Sequence, residues 1–569
     1  MRQNMTAERR RLMRYMGLML IGAFALRLLL AALSEGHPTD MACWRGWADR
    51  IFQDGFGAFY SDTAFSDYPP GYMYVLWVLG AVRGVFGSNV STDLVLVKLP
   101  AILCDLATGY LIFRISQGWL KDKRHALLCM ALYLFNPAIL INSSAWGQVD
   151  AVLTLCVVLL CYFISQKKLP LVYAVFAVGF LLKPQMAFVF PVLVCAVIEQ
   201  VFLHDFSIRK FGIHLASGAA AILGMILVSL PFGLEKVVSQ YMQTVTSYPK
   251  ATINAYNLWA LFNKNWRDQT EVVAGFSIQT WGTILLVLVF AAAVWFWFRG
   301  KKNHTKVYFI SAFLYIAIFT VSVRMHERYM FPALALLILV YALCPKREFF
   351  WSYIVFSVLH FFNVYDVFVN YDASNFDWNN PVPIVAGGLM VLATVWLCCQ
   401  AWMYYTRPGT LQEQCAVEPI LPYREHVRRD GRDETITPSE RAVRIVKWDV
   451  LIICLISAVY ALIAFHDLGD MDAPDSGWEA SGVGDEIVLD LGETVTVSEI
   501  HYYLGNYHRP KFSVSSAEDL SGTWTTNIPS EELVSVFKWQ EFGMTHDIVT
   551  RYLSRRPSGL RKTKFVFNS

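Results

Sequence analysis

"FSDYPPGYMYVLW", residues 65–77, sets an acid and a tyrosine ahead of two prolines, and an apolar run follows. Neither proline offers an N–H, and each pushes the residue before it out of the α region, so an element must start or break at Pro69-Pro70. The run behind that break, residues 71–86, is short for a bilayer crossing, which takes about 20 residues. Whether it crosses decides the topology of everything downstream. Basic clusters mark the inner face of a membrane protein, and two of them bracket this region: Arg9 to Arg14 and "KDKRH" at 121–125. Between two inner clusters the chain crosses an even number of times. Three apolar runs lie there, at 15–34, 71–86 and 94–117, so one is not a span. The weakest is 71–86. The reading therefore places 35–93 as one long outer segment, with 71–86 packed on or dipped into the outer face.

Composition agrees with a membrane protein. The chain has 569 residues, 55% hydrophobic and 16% charged, with a mean hydropathy of +0.40. That excludes an ordinary soluble protein. The formal net charge of +3 says little about partners, and no nucleic-acid partner is expected. The 11 cysteines show no paired metal-ligand spacing, and neither a GxxxxGK[ST] loop nor a strand-borne GxGxxG is present. ATP-driven or dinucleotide chemistry has no sequence support.

The remaining runs alternate between the faces: 125–142, 148–165, 169–182, 185–203, 211–232, 275–298, 306–323, 329–343, 349–365, 382–404 and 448–465. With 15–34 and 94–117 this predicts about thirteen spans, several short enough to need partners or tilt. The expected organisation is a membrane module over 1–405, a cytoplasmic polar linker over 406–447, a final span over 448–466 and an extracytoplasmic β domain over 467–569. In that last part "EIVLDLGETVTVSEIHYYLGNY" alternates apolar and polar residues and is punctuated by glycine. No repeat relates the halves, which weakens a transporter built of inverted repeats.

The polar residues at membrane depth collect on the outer side. Asp40, in "HPTDMACW", reads by itself as a solvated loop acid. Asp67 and Tyr68 precede the proline pair, as a turn with an interfacial tyrosine or as part of a site. "SSAWGQVDA" (143–151) brings Trp146, Gln148 and Asp150 to an outer helix start. There Asp150 favours a helix N-terminus and Trp146 suits an interfacial belt, unless they serve a site. Lys183, in "FLLKPQMAF", interrupts an apolar stretch and either snorkels or faces a polar cavity. Asp105 is a buried acid of the same kind. "VRMHERYMFP" (323–332) places Arg324, His326, Glu327 and Arg328 outside, against the positive-inside bias. Guanidinium groups there suit a phosphate, with a mutually neutralised Glu–Arg cluster as the alternative. A lipid-linked phosphate sugar fits the whole set: its tail in the bilayer, its phosphate on the cations, its sugar on acids and aromatics.

These motifs, in this order, resemble the GT-C glycosyltransferases that use polyprenyl-phosphate sugars, and among them bacterial relatives of the GPI mannosyltransferases. The likeness covers roughly 10–345. It rests on Asp40, "DYPPGYMY" at 67–74, "NPAILINSSAWGQVDA" at 136–151, "LLKPQMAF" at 181–188, "NAYNLWALF" at 254–262 and "MHERY" at 325–329. Arg328 stands where some relatives have lysine. The resemblance implies a GT-C fold in the plasma membrane with a cytoplasmic N-terminus and an extracytoplasmic active site. It implies an inverting transfer of a hexose, most plausibly mannose, to a glycolipid, cell-surface glycan or protein. The lipid-linked sugar is then substrate, and no metal or cofactor is required. Asp40 would be the base. Lys183, His326 and Arg328 would hold the donor phosphate. Asp67, Tyr68, Trp146, Gln148, Asp150 and Glu327 would contact sugar or acceptor. From Ser476 the tail looks like the start of a discoidin-type β-sandwich, and after about Thr545 it departs from that pattern. The rival reading is a lipid-linked glycan flippase or transporter. That would need polar groups along a path through the membrane, whereas here they gather at one face.

Overall fold

The structure is a computed structural model. It describes residues 2–60, 66–86, 90–118, 123–203, 206–246, 248–300, 303–370 and 380–406. Beyond these it describes 478–479, 487–504, 511–532, 539–558 and 564–566. The chain is mainly helical, followed by a small sheet region. Among the described residues seven helices are long and apolar enough to cross a membrane. An eighth crossing forms if Arg124–Leu134 and Pro137–Trp146, bent 46° from each other, count as one. Four shorter apolar helices are Asp150–Ser165, Pro170–Leu182, Lys306–Val321 and Pro332–Leu343. Each apolar run expected to cross before residue 405 is thus helical, and four fall short of a bilayer by length alone. The expected span at 448–465 and nearly all of the 406–447 linker lie outside the described residues.

Burial explains the short helices. Pro332–Leu343 is buried at every position and Lys306–Val321 at almost every one. A helix apolar all round belongs in the interior, where neighbours rather than lipid cover it. By contrast Ile208–Ser229 buries only His214 and Ser229, so it lies at the periphery of the bundle. Polar contacts tie the bundle together at depth. Arg27 Nε donates to Asp105 Oδ2 across 3.3 Å, and both side chains are fully buried. Ser143 Oγ (2.6 Å) and the Tyr133 hydroxyl (3.2 Å) also donate to Asp105. Lys98, buried as well, donates to the carbonyls of Ala31 and Ser34 at the end of the first helix.

The proline break behaves as expected: a helix spans Pro70–Phe86 and begins on the second proline. It packs on the helix Pro38–Asp54, which carries Asp40, and on the end of Leu169–Leu182, just ahead of Lys183. Gly71 permits this, because a Cβ there would lie 2.6 Å from the Leu181 carbonyl oxygen. In the C-terminal part the described strands form one antiparallel sheet. Its order is Trp478–Glu479, Lys564–Val566, Ile487–Leu504, Trp539–Ser558, Lys511–Ala517, Thr525–Glu532. Among the described residues it is a single sheet, not the two of a sandwich. Alternating polarity shows that a strand has two unlike faces, but not what covers the apolar one.

Candidate active site

Asp40 sits in the first turn of the helix Pro38–Asp54, with Pro38 supplying the preset φ of a first helical residue. Its carboxylate is held from the side. Trp146 Nε1–H donates to Asp40 Oδ2 at 2.6 Å, and His37 Nδ1 lies 3.4 Å from the same oxygen. The His37 ring stacks on Trp146 at 4.8 Å and 12°, and Phe368 stacks on Trp146 at 5.4 Å.

Trp146 owes its position to local sequence. Asn136 caps the short helix Pro137–Leu140 through Ala138 N. The chain then widens into a π-helix over Ile141–Trp146, a form that recurs at functional sites. Gly147 ends it in the left-handed region (φ 90°), where a Cβ would strike the Met41 sulfur at 2.5 Å. The turn also gives its carbonyls to the Asp40 segment: Trp146 O accepts from His37 N, and Gly147 O from Trp44 Nε1.

Lys183 lies in the break between Leu169–Leu182 and Pro184–Val189, extended because proline follows it. Its ammonium donates to Asp150 Oδ1 and stands 5.9 Å from the centre of the Tyr68 ring. Tyr68 meets Trp44 edge-on at 4.8 Å. Arg328 Nη1 donates to Glu327, and its Nε is 4.0 Å from Asp150 Oδ2. The 322–331 loop is tied to the 250–269 segment: Ile253 N donates to Met325 O, and Arg324 Nε to Gln269 Oε1 at 2.9 Å.

All these elements enclose one cavity of about 650 Å³. Nine of the residues singled out in the sequence line it: Asp40, Asp67, Tyr68, Trp146, Lys183, Arg324, His326, Glu327 and Arg328. Gln148 and Asp150 do not. Gln148 is 0% and Asp150 1% exposed, so both stand behind the wall, where Asp150 anchors Lys183. Trp146 is on the wall but commits its one polar atom to Asp40. Lys183 and Arg328 are each paired with a carboxylate, so the cationic half is tethered rather than bare. The expected cluster missed His37, three residues before Asp40, and the wall that Tyr248, Asn254 and Trp266 form beside Arg324. The helical i,i+3 spacing could have marked His37. Nothing in hydropathy marks the others.

Electrostatics divide the carboxyl groups. Burial pushes Asp40 up, but Arg328, His37 and the Trp146 N–H outweigh it and hold the carboxyl below its ordinary value. Burial, then the charge of Asp40, pushes Asp67 up to about 6 despite Arg328 and Lys183. Glu327 is raised by burial, which Arg328 opposes. His326 is driven well below its ordinary value by burial and Arg328, so its ring is neutral. The cavity therefore holds an anion at Asp40, raised acids at Asp67 and Glu327, and the tethered cations Lys183, Arg324 and Arg328.

The raised pKa of Asp67 has a consequence for stability. The folded protein binds this proton more tightly than the unfolded chain between about 3.9 and 6, so its contribution falls as pH rises through that window. Asp67→Asn is expected to raise the Tm at pH 7.5, and the gain should shrink as pH falls through that window, toward about pH 3, where both states are mostly protonated. Thermal unfolding in detergent across that range checks this. A gain that does not vary with pH would contradict it.

The sequence model of the dolichyl-phosphate-mannose-protein mannosyltransferase family matches residues 67–231. Over that stretch the chain is similar to membrane glycosyltransferases of a mannosyltransferase kind, and the likeness supports glycosyl transfer from a lipid-linked donor. The matched stretch carries Asp67, Tyr68, Trp146 and Lys183, while Asp40 and the 322–331 loop lie outside it and complete the same cavity. No curated protein matches the chain.

Proposed function

We propose that the protein transfers a hexose, mannose first among them, from a polyprenyl-phosphate carrier to a glycolipid or glycan acceptor outside the cytoplasm. The cavity would open to the outer face of the plasma membrane, with the N-terminus inside, and the tail from 467 would also lie outside. The observation that carries the reading is Asp40: a carboxylate held ionised and aimed by the Trp146 N–H, sharing one cavity with Lys183 and Arg328. A general base must be ionised and within hydrogen-bond reach of the hydroxyl it deprotonates. Asp40 would take the acceptor proton as the acceptor oxygen attacks the anomeric carbon. The carbon–phosphate-oxygen bond breaks on the opposite face, and the polyprenyl phosphate leaves with the electron pair. Lys183 and Arg328 would stabilise that charge without metal or cofactor. A guanidinium has five N–H donors, so the bond to Glu327 leaves others for the phosphate. Neutral His326 would donate one N–H rather than charge. Tyr68, Asp67 and Glu327 would line the sugar, and Gln148 and Asp150 would support the wall from behind.

Incubating the purified protein with polyprenyl-phosphate mannose, glucose and galactose, and measuring release of polyprenyl phosphate, tests this directly. Release from at least one donor in the presence of a glycan acceptor is expected, and none from any would overturn it. For the cationic half, Arg328→Ala should lower kcat/KM by roughly 10–100-fold, the worth of a lost charge-assisted hydrogen bond. Arg328→Lys should recover part of this, because the charge survives and the fork does not. Equal and negligible effects of the two would return Arg328 to a purely structural pair with Glu327.

A further inference from the structure

Seven non-glycine residues among those described have left-handed backbone, and four of them line this one cavity: Tyr248 (φ 54°), Asn254 (57°), Trp266 (60°) and Arg324 (60°). An L side chain resists that conformation. It persists only where the surroundings over-determine it, and such residues gather at binding and catalytic sites. Here the surroundings do so bond by bond. Trp266 N donates to Thr252 O at 2.9 Å, and Trp266 Nε1 to Asn254 Oδ1 at 2.8 Å. Asn254 N donates to Asn265 Oδ1 at 2.8 Å, and Asn254 O accepts from Asn363 Nδ2 at 2.7 Å. Arg324 N donates to Lys250 O at 3.2 Å.

The result is a rigid wall with a particular chemistry. The indole of Trp266 has spent its one polar atom on Asn254, so what it brings to the lining of the cavity is apolar ring. An amide and a guanidinium flank it, and the Tyr248 ring, edge-on to His326 at 5.6 Å, stands beside them. A sugar ring wants this combination: C–H groups against an aromatic face, and hydroxyls on planar polar groups.

We infer that Trp266, with Tyr248, Asn254 and Arg324, forms a preorganised acceptor subsite that takes a hexose unit of the glycan being extended. This rests on the glycosyl-transfer reading above and adds where the acceptor binds. Strain is fixed in the wall before binding, so the acceptor does not order the loop itself.

Two measurements keep this inference separate from that reading. The first uses no turnover: saturation-transfer NMR with methyl α-mannoside, methyl α-glucoside and methyl α-galactoside on the detergent-solubilised protein. At least one glycoside should give a signal that survives Arg328→Ala, weakens little in Trp266→Phe and is lost in Trp266→Ala. Phenylalanine keeps the ring but not the bond to Asn254, so equal loss in both variants would mean that the indole only braces the loop, and would overturn the inference. So would a signal undiminished in Trp266→Ala, or no signal from the wild type. The second uses turnover. In Trp266→Ala the acceptor KM should rise about tenfold, the worth of one aromatic contact, with donor KM unchanged. A rise in donor KM alone would place Trp266 on the donor side. Absence of turnover with every donor would sink the glycosyl-transfer reading, while the NMR result would still stand or fall by itself.

Discussion

Asp40→Asn is expected to lower the rate of the proposed sugar transfer by roughly 10²–10⁴-fold, the range typical of a lost general base, while donor still binds. The substitution keeps volume, and an amide oxygen can still accept from Trp146 Nε1, now 2.6 Å from the carboxylate. What disappears is the basic oxygen. Single-turnover transfer rates alongside donor Kd values measure the two separately. Asp67 is the rival for the role because it lines the same cavity. Its raised pKa makes it the poorer anion at pH 6 and below. Asp150 is no rival in the same sense: it lies behind the wall and bonds Lys183. If Asp40→Asn turns over near the wild-type rate while Asp67→Asn is dead, the base is Asp67.

The second large effect lies away from the cavity. Arg27→Met is expected to destabilise the protein by about 3–5 kcal/mol, because it leaves the Asp105 carboxylate buried without its charge partner. Neither side chain has any solvent exposure. Adding Asp105→Asn should recover most of the loss, since the amide is neutral and its one oxygen can still accept from Ser143 Oγ while its NH2 donates to the Tyr133 hydroxyl, the two groups that now bond opposite carboxylate oxygens. Chemical unfolding of the two single variants and the double variant in detergent gives the coupling. Losses that simply add would show that the pair carries no mutual energy. Ser143 stands three residues before Trp146 on the π-helix, so Arg27→Met should also loosen the aim of Asp40 and slow transfer.

Much of this was legible in the sequence because the bilayer imposes length, polarity and parity. Counting apolar runs between basic clusters separated Pro70–Phe86 from the longer runs, and the proline pair marks where its helix begins. Polar residues stranded at one depth, Asp40, Lys183 and the "MHERY" group, proved to share a cavity. Depth is not direction, however. Gln148 and Asp150 lie two and four residues from Trp146, yet they turn behind the wall, because the π-helix and the left-handed Gly147 reset the helical phase between them. That reset has no hydropathy signature. The wall at 248–266 was equally hidden. Its conformations are ones that local propensity disfavours, held by Asn254, Asn265 and Asn363, and loop contacts of this kind follow no period.

The most direct test of Asp40 as base is the anomeric configuration of the product, read by NMR after transfer from a donor of defined anomer. A base on one face of the sugar and a departing phosphate on the other require a single displacement, so the new linkage should have the opposite configuration to the donor. Retention would mean two displacements through a covalent intermediate, and Asp40 could not then be a base acting on the acceptor alone.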